Sequence, residues 1–524
     1  MRRTSALLLL LVPFVLPPRA LAQARLTGAD LQGTIRDESG AVVPGATVRA
    51  TDLATNVSRT AVSDGKGSYY VGALPPGTYR ITVSLSGFAT QTKEGLALRL
   101  GQGVEIDFTI KVAAGKEETT VTAEAPIVDP SQTAVQSVVG QQQIDSLPIN
   151  GRNFISFSVI TPGVAPDRTP QQGASATSGL SFTGQRARSN NIMVDGLDNN
   201  DAAVGSVRAV FSQEAIREFQ VLTDSYSAEF GKAAGGVVNI VTKSGTNEFH
   251  GNAFFYFRDT ALNSKNYFDK FDLFGNSINA AKAPYNQKQE GATLGGPIQK
   301  DKTFFFLSFE RTDIKDARLV LISPQAAAVL NDAGFPVDLG NVPLNLKNTE
   351  ALAKIDHHWS PEHTLTVRGS FAYINREGID DFGGIVAKSR STAQLRTDWS
   401  VAASETDILS NNWINEARAQ YAYEKQDINA LDPRCAGECI GDDQGGPTLE
   451  VTGFATVGRQ RFTPNLRLNK RIQLLETVSH VSGSHHFKVG AEYNRIDNPS
   501  DHNELPLHFG GRYIFSAIPG LFPT

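Results

Sequence analysis

The sequence predicts a mainly β protein with three parts: a small N-terminal β-sandwich, a mixed α/β domain, and the first strands of an antiparallel barrel. Three observations lead to this fold class. Short strands separated by glycine-rich turns occupy residues 28–112. An unbroken apolar run, Val237 to Val241, indicates a strand buried on both faces, and after Asn247 apolar and polar residues alternate along the strands. The connections between those later strands are alternately short and long, as in membrane barrels.

Composition excludes several classes of protein. A chain of 524 residues is long enough for three or four domains. The mean hydropathy is −0.21, and after the N-terminus no apolar run approaches the ~18–20 residues of a membrane-spanning helix. A helical membrane protein is therefore excluded, whereas a barrel is compatible because its strands expose apolar side chains only at alternate positions. The formal net charge of −5 argues against a dedicated nucleic-acid binder.

The first residues predict a secretory signal peptide at residues 1–22. Arg2 and Arg3 supply its positive charge, Ala6 to Leu16 its apolar stretch, and Ala20 to Ala22 its cleavage site of small residues. The prolines in the same stretch make a buried helix the weaker alternative. We therefore expect export.

Residues 28–112 have the pattern of a small β-sandwich. The segments Val43 to Ala46 and Leu74 to Tyr79 resemble the carboxypeptidase regulatory-like domain, a transthyretin-like sandwich that is also classed with carbohydrate-binding-like folds. None of the nine histidines is followed three positions later by glutamate, so the metal-binding pair of the zinc carboxypeptidases is missing. The resemblance implies an accessory module, and sugar binding by it rests on no particular residue.

A polar stretch at residues 113–136 connects the sandwich to the next domain. It contains a short β-prone peptide with charged neighbours, which ends before Pro126; its residues are Glu118, Thr119, Thr120, Val121, Thr122 and Ala123. Two interpretations stay open. The peptide is either part of the sandwich or a plain linker, or it is a free strand that pairs with the sheet edge of a partner protein.

Residues 137–246 resemble the plug domain of TonB-dependent outer-membrane receptors, and we call them the plug domain. The resemblance rests on Gln143 to Asn153, on Phe182 to Asn200 and on the junction from Glu229 to Gly251. Its motif residues are Arg186, Arg188, Asp195, Gly196, Gly235 and Gly236. We expect the two arginines and the nearby aspartates to form ion-pair networks against a polar barrel wall. The alternatives are that the arginines only solvate a turn or contact the solute.

Residues 247–524 predict part of an antiparallel transmembrane barrel. On one strand Val367 and Phe371 form an apolar face, which should contact lipid, and Arg368 and Ser370 form a polar face directed at the lumen. An arginine should therefore be tolerated at Ser370 but not at Val367. The predicted strands lie near residues 247–258, 287–297, 302–311, 350–359, 363–375, 392–409, 413–425, 466–481 and 485–496.

Aromatic residues and a cysteine pair agree with a barrel that has short periplasmic turns and long outer connections. Trp359 and Trp413 adjoin two of the short turns, and Phe304 to Phe306 follow a third, as in the aromatic girdles at membrane interfaces. Cys435 and Cys439 lie in a long outer connection, where an exported protein can form a local disulfide. A metal site would need further ligands nearby, and none is evident.

The order of sandwich, linker, plug domain and barrel resembles an Oar-like TonB-dependent transporter. Such receptors have about 22 strands, so nine predicted strands suggest a truncated barrel and a fragment of a longer reading frame. The resemblance implies a non-enzymatic protein of the cell outer membrane, in contact with its lipid, that takes up a scarce or bulky solute such as a carbohydrate, a peptide or a chelate.

The same resemblance implies the partners. Glu118 to Ala123 would be the TonB box, on which a TonB-type energy-coupling protein of the inner membrane pulls to displace the plug. No nucleophile with a base, no metal triad and no phosphate-binding loop stands out, so we expect no catalytic residues, no metal and no cofactor. An outer-membrane adhesion or carbohydrate-binding protein without transport is the alternative function.

Overall fold

The computed structural model describes residues 26–113, 118–122, 135–147, 152, 154–167, 179–202, 205, 207–265, 270–271, 276–277, 282–378, 382–432, 447–460, 463–482, 485–499 and 512–516. Within these ranges no helix has the length and the apolar character needed to cross a membrane. The predicted signal peptide, Ala123 and the pair Cys435 and Cys439 lie outside them.

The N-terminal domain is a sandwich of two sheets. Its strands are β1 (Ala29–Asp37), β2 (Thr47–Asp52), β3 (Ser58–Val62), β4 (Ser68–Leu74), β5 (Gly77–Ser84), β6 (Thr90–Leu98), β7 (Gly103–Glu105), β8 (Phe108–Ile110) and β9 (Glu118–Thr122). One sheet has the order β4-β1-β7, with β8 also paired to β1, and the other has the order β3-β2-β5-β6-β9. Alternate residues such as Val48, Ile81 and Phe108 are buried in the core of the domain.

Strand β9 belongs to a sheet of this sandwich, which is one of the interpretations that the sequence left open for residues 118–122. It pairs in parallel with β6, from Thr90 opposite Glu118 to Glu94 opposite Thr122. Without β9, the backbone groups on one side of β6 would be an open sheet edge, and a short β-prone peptide can pair with them. The chain therefore leaves the sandwich after Thr122 and not at residue 113.

The plug domain is built around a mixed five-stranded sheet. Its elements are β10 (Val135–Val139), α1 (Gln141–Ser146), β11 (Val164–Pro166), β12 (Leu180–Phe182), β13 (Asn191–Val194), β14 (Leu197–Asp198), β15 (Ile216–Asp224), β16 (Val237–Thr242) and 3-10 helices at Phe154–Ile160, Ala187–Ser189 and Gln213–Ala215. The sheet order is β10-β15-β16-β13-β14. Every residue of β16 is buried, as the unbroken apolar run predicts, because the strand lies in the middle of the sheet.

Nine antiparallel strands form one further sheet, which we call the wall. They are β17 (His250–Asp259), β18 (Asn286–Gln299), β19 (Thr303–Val320), β20 (Gly340–His358), β21 (His363–Glu377), β22 (Thr392–Ser410), β23 (Trp413–Ala430), β26 (Asn465–Ser482) and β27 (His485–Asp497). They pair in chain order. Each overlaps a predicted strand, although β19 and β20 extend well beyond theirs, and the three-part, mainly β fold class is confirmed.

The long connections contain more structure than the sequence indicates. The ladder between β19 and β20 continues to the pair of Val320 and Gly340, inside a stretch predicted as a polar loop. Further elements are α2 (Pro324–Asp332), β24 (Thr448–Val451), β25 (Ala455–Gly458), β28 (Arg512–Phe515) and 3-10 helices at Thr260–Leu262 and Lys388–Arg390. A hydrophobic cluster that includes Leu330, Phe382 and Val457 packs several of these connections together.

The wall is polar on the face that contacts the plug domain and apolar on the opposite face. On β21, Val367 and Phe371 are 38% and 41% exposed, whereas Arg368 and Ser370 are 2% and 7% exposed. Alternation along the strand predicts the two faces. It does not predict that the polar face is the buried one, which results from the plug domain that covers it.

The sandwich contacts the end of the wall that carries the short turns. Asn247 donates its backbone N–H to the carbonyl of Ala54 at 2.9 Å and its side-chain amide to the carbonyl of Thr55 at 2.7 Å. The rings of Tyr70 on β4 and His486 on β27 lie 5.2 Å apart. The sandwich thus lies beside the point where the chain passes from the plug domain into the wall.

Candidate functional site

Buried ion pairs join the plug domain to the polar face of the wall. They link Asp195 to Arg368, Asp198 to Arg471, Asp201 to Arg467 and Arg208 to Asp398, with nitrogen–oxygen distances of 2.6, 2.8, 3.2 and 2.7 Å. A buried charge without its partner is strongly destabilising, so these pairs fix the position of the plug domain against the wall.

The turn between β13 and β14 presents the first of these aspartates. Asp195 and Gly196 both have positive φ, 50° and 77°, as a two-residue hairpin turn of the type favoured by Asp-Gly requires. A Cβ at position 196 would lie 3.2 Å from Nε of Arg418 on the wall. Glycine is therefore suited to this position by both its backbone conformation and the close approach of the wall.

Asp195 connects the turn to β16 and to the wall. Its Oδ1 accepts the backbone N–H of Thr242 at 2.9 Å, and its Oδ2 accepts the Thr242 hydroxyl at 2.9 Å and Nη1 of Arg368 at 2.6 Å. Burial acts to raise the pKa of this carboxyl, but the charges of Lys354 and Arg368 and the bonds from Thr242 outweigh it and hold the pKa below its ordinary value. The carboxylate is thus charged where the plug domain meets the wall.

Asp198 forms a second cluster at the end of β14. It accepts the backbone N–H of Asn200 at 2.8 Å, and its oxygens pair with Arg471 at 2.8 Å and Lys232 at 3.2 Å. Burial acts to raise the pKa of Asp198, but Arg471, the bonds from Asn200 and Lys232 together lower it. Lys232 also pairs with Glu492 on β27 at 2.6 Å, so one plug lysine joins two carboxylates.

Arg208 makes the most enclosed of the four pairs. Its Nη1 donates to both carboxylate oxygens of Asp398 at 2.7 Å, and the two side chains are 4% and 1% exposed. The backbone carbonyl of Arg208 accepts from Arg396, which itself pairs with Glu424 at 2.6 Å. One plug residue is therefore held by a network that spans β22 and β23.

The glycine pair at the start of β16 has a packing role. A Cβ at Gly236 would lie 2.0 Å from Cδ1 of Phe182, and one at Gly235 would lie 2.3 Å from Oδ1 of Asn190. Phe182 is fully buried, and Asn190 is also buried. Both glycines therefore allow β16 to pass close to the segment that carries β12 and the following turn.

The sequence prediction located only part of this site. Asp195 and Asp198 lie at the interface, but their cationic partners come from the wall and from Lys232, whereas Arg186 and Arg188 are exposed. Arg208 and Asp201 were missed. Arg368 was assigned to a polar strand face, yet alternation alone does not show which plug residue it meets.

Further polar contacts join the plug domain to the wall. Ser212 of the plug domain donates its hydroxyl to Glu310 on β19, and Lys354 on β20 donates to Thr242 at 3.3 Å. Over the described ranges no cluster of three or more His, Cys, Asp or Glu residues is placed to hold a metal ion.

Three protein-family models match successive parts of the chain. A carboxypeptidase regulatory-like domain matches residues 30–111, a TonB-dependent receptor plug domain matches residues 130–238, and an outer-membrane β-barrel domain matches residues 241–334 and 322–519. The order of the three matches is the order of the sandwich, the plug domain and the wall.

Two named relatives match part of the chain. The chain is 30% identical over 276 residues to the TonB-dependent transporter Oar of Myxococcus xanthus, covering 51% of this chain and 25% of the relative. It is 34% identical over 158 residues to a probable TonB-dependent siderophore receptor, PirA of Acinetobacter baumannii, covering 27% of this chain and 20% of the relative. The matched part thus spans a quarter or less of each relative. The adhesion alternative gains no support from them.

Among solved structures, the outer-membrane transporter YddB from Escherichia coli superposes with a TM-score of 0.50 at 12% identity. The superposition covers 69% of this chain and 48% of YddB. At this level of identity the likeness concerns the fold alone.

Proposed function

Because this chain belongs to the TonB-dependent outer-membrane receptors, in the Oar-like group with an N-terminal carboxypeptidase regulatory-like domain, we propose that it takes up a scarce or bulky solute by energised displacement of its plug. The family consists of transporters and not of enzymes, and its members are located in the outer membrane. Uptake by this particular chain, its solute and its coupling partner are our proposals.

The observation that supports the proposal most directly is the polar interface between the plug domain and the wall. Its direct contacts include ion pairs and hydrogen bonds such as Asp195 with Arg368 and Arg208 with Asp398, beside an apolar contact in which Phe306 and Leu352 of the wall join the hydrophobic cluster of the plug domain. When such an interface opens into a water-filled lumen, the separated charges are hydrated again, so opening does not expose a large apolar core. A domain held in this way can be stable at rest and still be displaced by a pulling force.

The proposed source of that force is a TonB-type energy-coupling protein of the inner membrane. It would pair with the peptide Glu118 to Ala123 by adding a strand to its own sheet. This peptide lies on the N-terminal side of the plug domain, so tension applied to it reaches the plug through residues 123–134.

The solute is proposed by class. The A. baumannii relative is named as a siderophore receptor, which makes a ferric chelate the first class to test; carbohydrates and peptides are the other two. The outer connections that would select among them are clustered around Leu330, Phe382 and Val457.

The test is accumulation of labelled ferric chelates, oligosaccharides and peptides by cells that produce the full-length protein, with and without the energy-coupling protein. The proposal predicts that at least one solute accumulates only when the coupling protein is present, while its binding to the cell surface is the same in both strains. Equal accumulation in both strains would contradict energised uptake.

A further inference from the structure

The peptide proposed to receive the pulling force is already paired in the structure. All five residues of β9 are in register with residues 90–94 of β6. Strand addition to a partner uses main-chain hydrogen bonds, and those on the β6 side of β9 are engaged within the sandwich. The coupling peptide therefore has a partner inside its own chain.

The sandwich itself is anchored beside the plug and the wall. Besides the bonds from Asn247 to β2–β3, the backbone N–H of Leu100 donates to Oε2 of Glu218 on β15 at 3.0 Å. Burial raises the pKa of Glu218 above its ordinary value. The bond from Leu100 and the charges of Arg217 and Arg99 lower it, but by less. While the sandwich is anchored, a pull on β9 must either detach the whole domain or separate β9 from β6.

Separation of β9 is the smaller of these two changes. The strand is at the edge of the sheet and pairs with one neighbour over five residues. The core residues Leu96 and Leu98 of β6 lie beyond the paired segment and are held opposite β5. Loss of β9 therefore leaves their strand pairing in place.

Residues 123–134 connect β9 to the plug domain. These 12 residues lie between the end of β9 and the start of β10, so tension applied to a released β9 reaches the plug domain only through them. A β9 that remains fixed on the anchored sandwich would keep the tension from the plug.

We propose that the sandwich stores the coupling strand, so that β9 pairs with β6 at rest and must leave it to pair with the energy-coupling protein. The inference rests on the proposed function and gives the sandwich a role in it. The two pairings compete for one strand, so the apparent affinity for the coupling protein is lowered by the fraction of time that β9 is released. In the coupled state β9 has left the sandwich, and the edge of β6 is open.

A disulfide between β6 and β9 tests this competition. Thr92 and Thr120 are opposite each other in the register; both become cysteine in the full-length protein, with Cys435 and Cys439 replaced by serine. The control pair is Arg49→Cys with Thr60→Cys, which are opposite each other on β2 and β3 at the other end of the same sheet. The probe is the purified periplasmic domain of the energy-coupling protein.

The proposal predicts that oxidation of the β6–β9 pair lowers binding of the probe at least tenfold, that reduction restores it, and that the control pair binds equally in both states. Equal binding by the oxidised and reduced β6–β9 pair overturns the stored-strand inference and leaves the proposed function standing. Absence of binding in the reduced and unmodified proteins counts against the proposed function itself.

Hydrogen exchange of the unmodified protein is an independent test, and it applies even if the engineered disulfide fails to form. The amides of Thr90 to Glu94 that face β9 should exchange faster when the probe is added, because β6 then becomes an open edge. Unchanged or slower exchange at these amides would show that the coupling protein adds to β9 in place, and would overturn the inference.

Discussion

Nη1 of Arg208 in the plug domain donates to both carboxylate oxygens of Asp398 in the wall, and both nitrogen–oxygen distances are 2.7 Å. Their side chains are 4% and 1% exposed, so the pair is almost completely removed from water. Removal of Arg208 would leave the carboxylate of Asp398 buried without its hydrogen-bonded counter-ion. The pair therefore gives a direct test of whether buried charges hold the plug in its resting position.

Replacement of Arg208 by alanine should loosen the plug domain. An uncompensated buried carboxylate costs about 3–5 kcal/mol, and the expected result is faster proteolysis of the plug and entry of antibiotics that are normally too large to cross. Arg186→Ala is the matched control, because Arg186 is exposed. If the two variants have equally protected plugs, the pair does not fix the domain.

Replacement of Gly236 by alanine should destabilise the plug domain by about 1–3 kcal/mol, because overpacking forces neighbours to move. The added methyl group would lie 2.0 Å from the ring of Phe182, and the exchange Phe182→Leu should recover part of the loss. Gly231→Ala is the control, since nothing lies within 4 Å of a Cβ there and its φ is not positive. Urea unfolding of the three variants measures the difference; equal midpoints for the two glycine variants would count against the packing role.

Low pH should weaken the attachment of the plug through Asp195. The pKa of Asp195 is lower in the folded protein than the ordinary value of 3.8, so its contribution is complete above about pH 4 to 5 and is lost as the pH falls through the lowered pKa. Asp195→Asn should therefore differ most from the wild type near neutral pH and least in strong acid. Proteolytic protection of the plug at a series of pH values measures this; a difference that grows as the pH falls would contradict the sign.

An arginine at Val367 should impair insertion or stability by ~2–4 kcal/mol if the exposed face of β21 lies at the membrane midplane. The sequence also suggested that an arginine at Ser370 would be tolerated. The structure changes that expectation, because Ser370 is 7% exposed and its hydroxyl lies 2.7 Å from that of Ser400. Ser370→Ala is now the mild control, and unfolding from lipid vesicles should separate it from Val367→Arg.

Regular patterns in the sequence predicted the regular parts of the fold. Alternation located the nine wall strands, and the apolar run at Val237 to Val241 located the central strand of the plug domain. Both signals are local, since they depend on which neighbours along one strand share a face.

Long-range pairing could not be predicted in the same way. The pair of Arg208 and Asp398 joins residues 190 positions apart, and nothing in either local segment identifies the other. The sequence left open whether the peptide Glu118 to Thr122 pairs within the sandwich, because β7 and β8 separate it along the chain from its partner, β6. Burial of the polar wall face depends on a separate domain, so a strand pattern alone assigns two faces without showing which one is covered.

Displacement of the plug is the central claim, and a reversible covalent link between plug and wall tests it most directly. Ser212 and Glu310 are in hydrogen-bond contact across the interface, and the glutamate side chain that reaches this contact is longer than a cysteine. Cysteines at both positions, with Cys435 and Cys439 replaced by serine, are therefore joined by a short bifunctional thiol reagent that contains a cleavable disulfide, which fastens the plug to β19. The account predicts that cross-linking stops energised uptake of the solute selected by the accumulation screen, leaves surface binding unchanged, and is reversed by reductant. Normal uptake with the link fully formed would show that transport does not require the plug to leave this part of the wall.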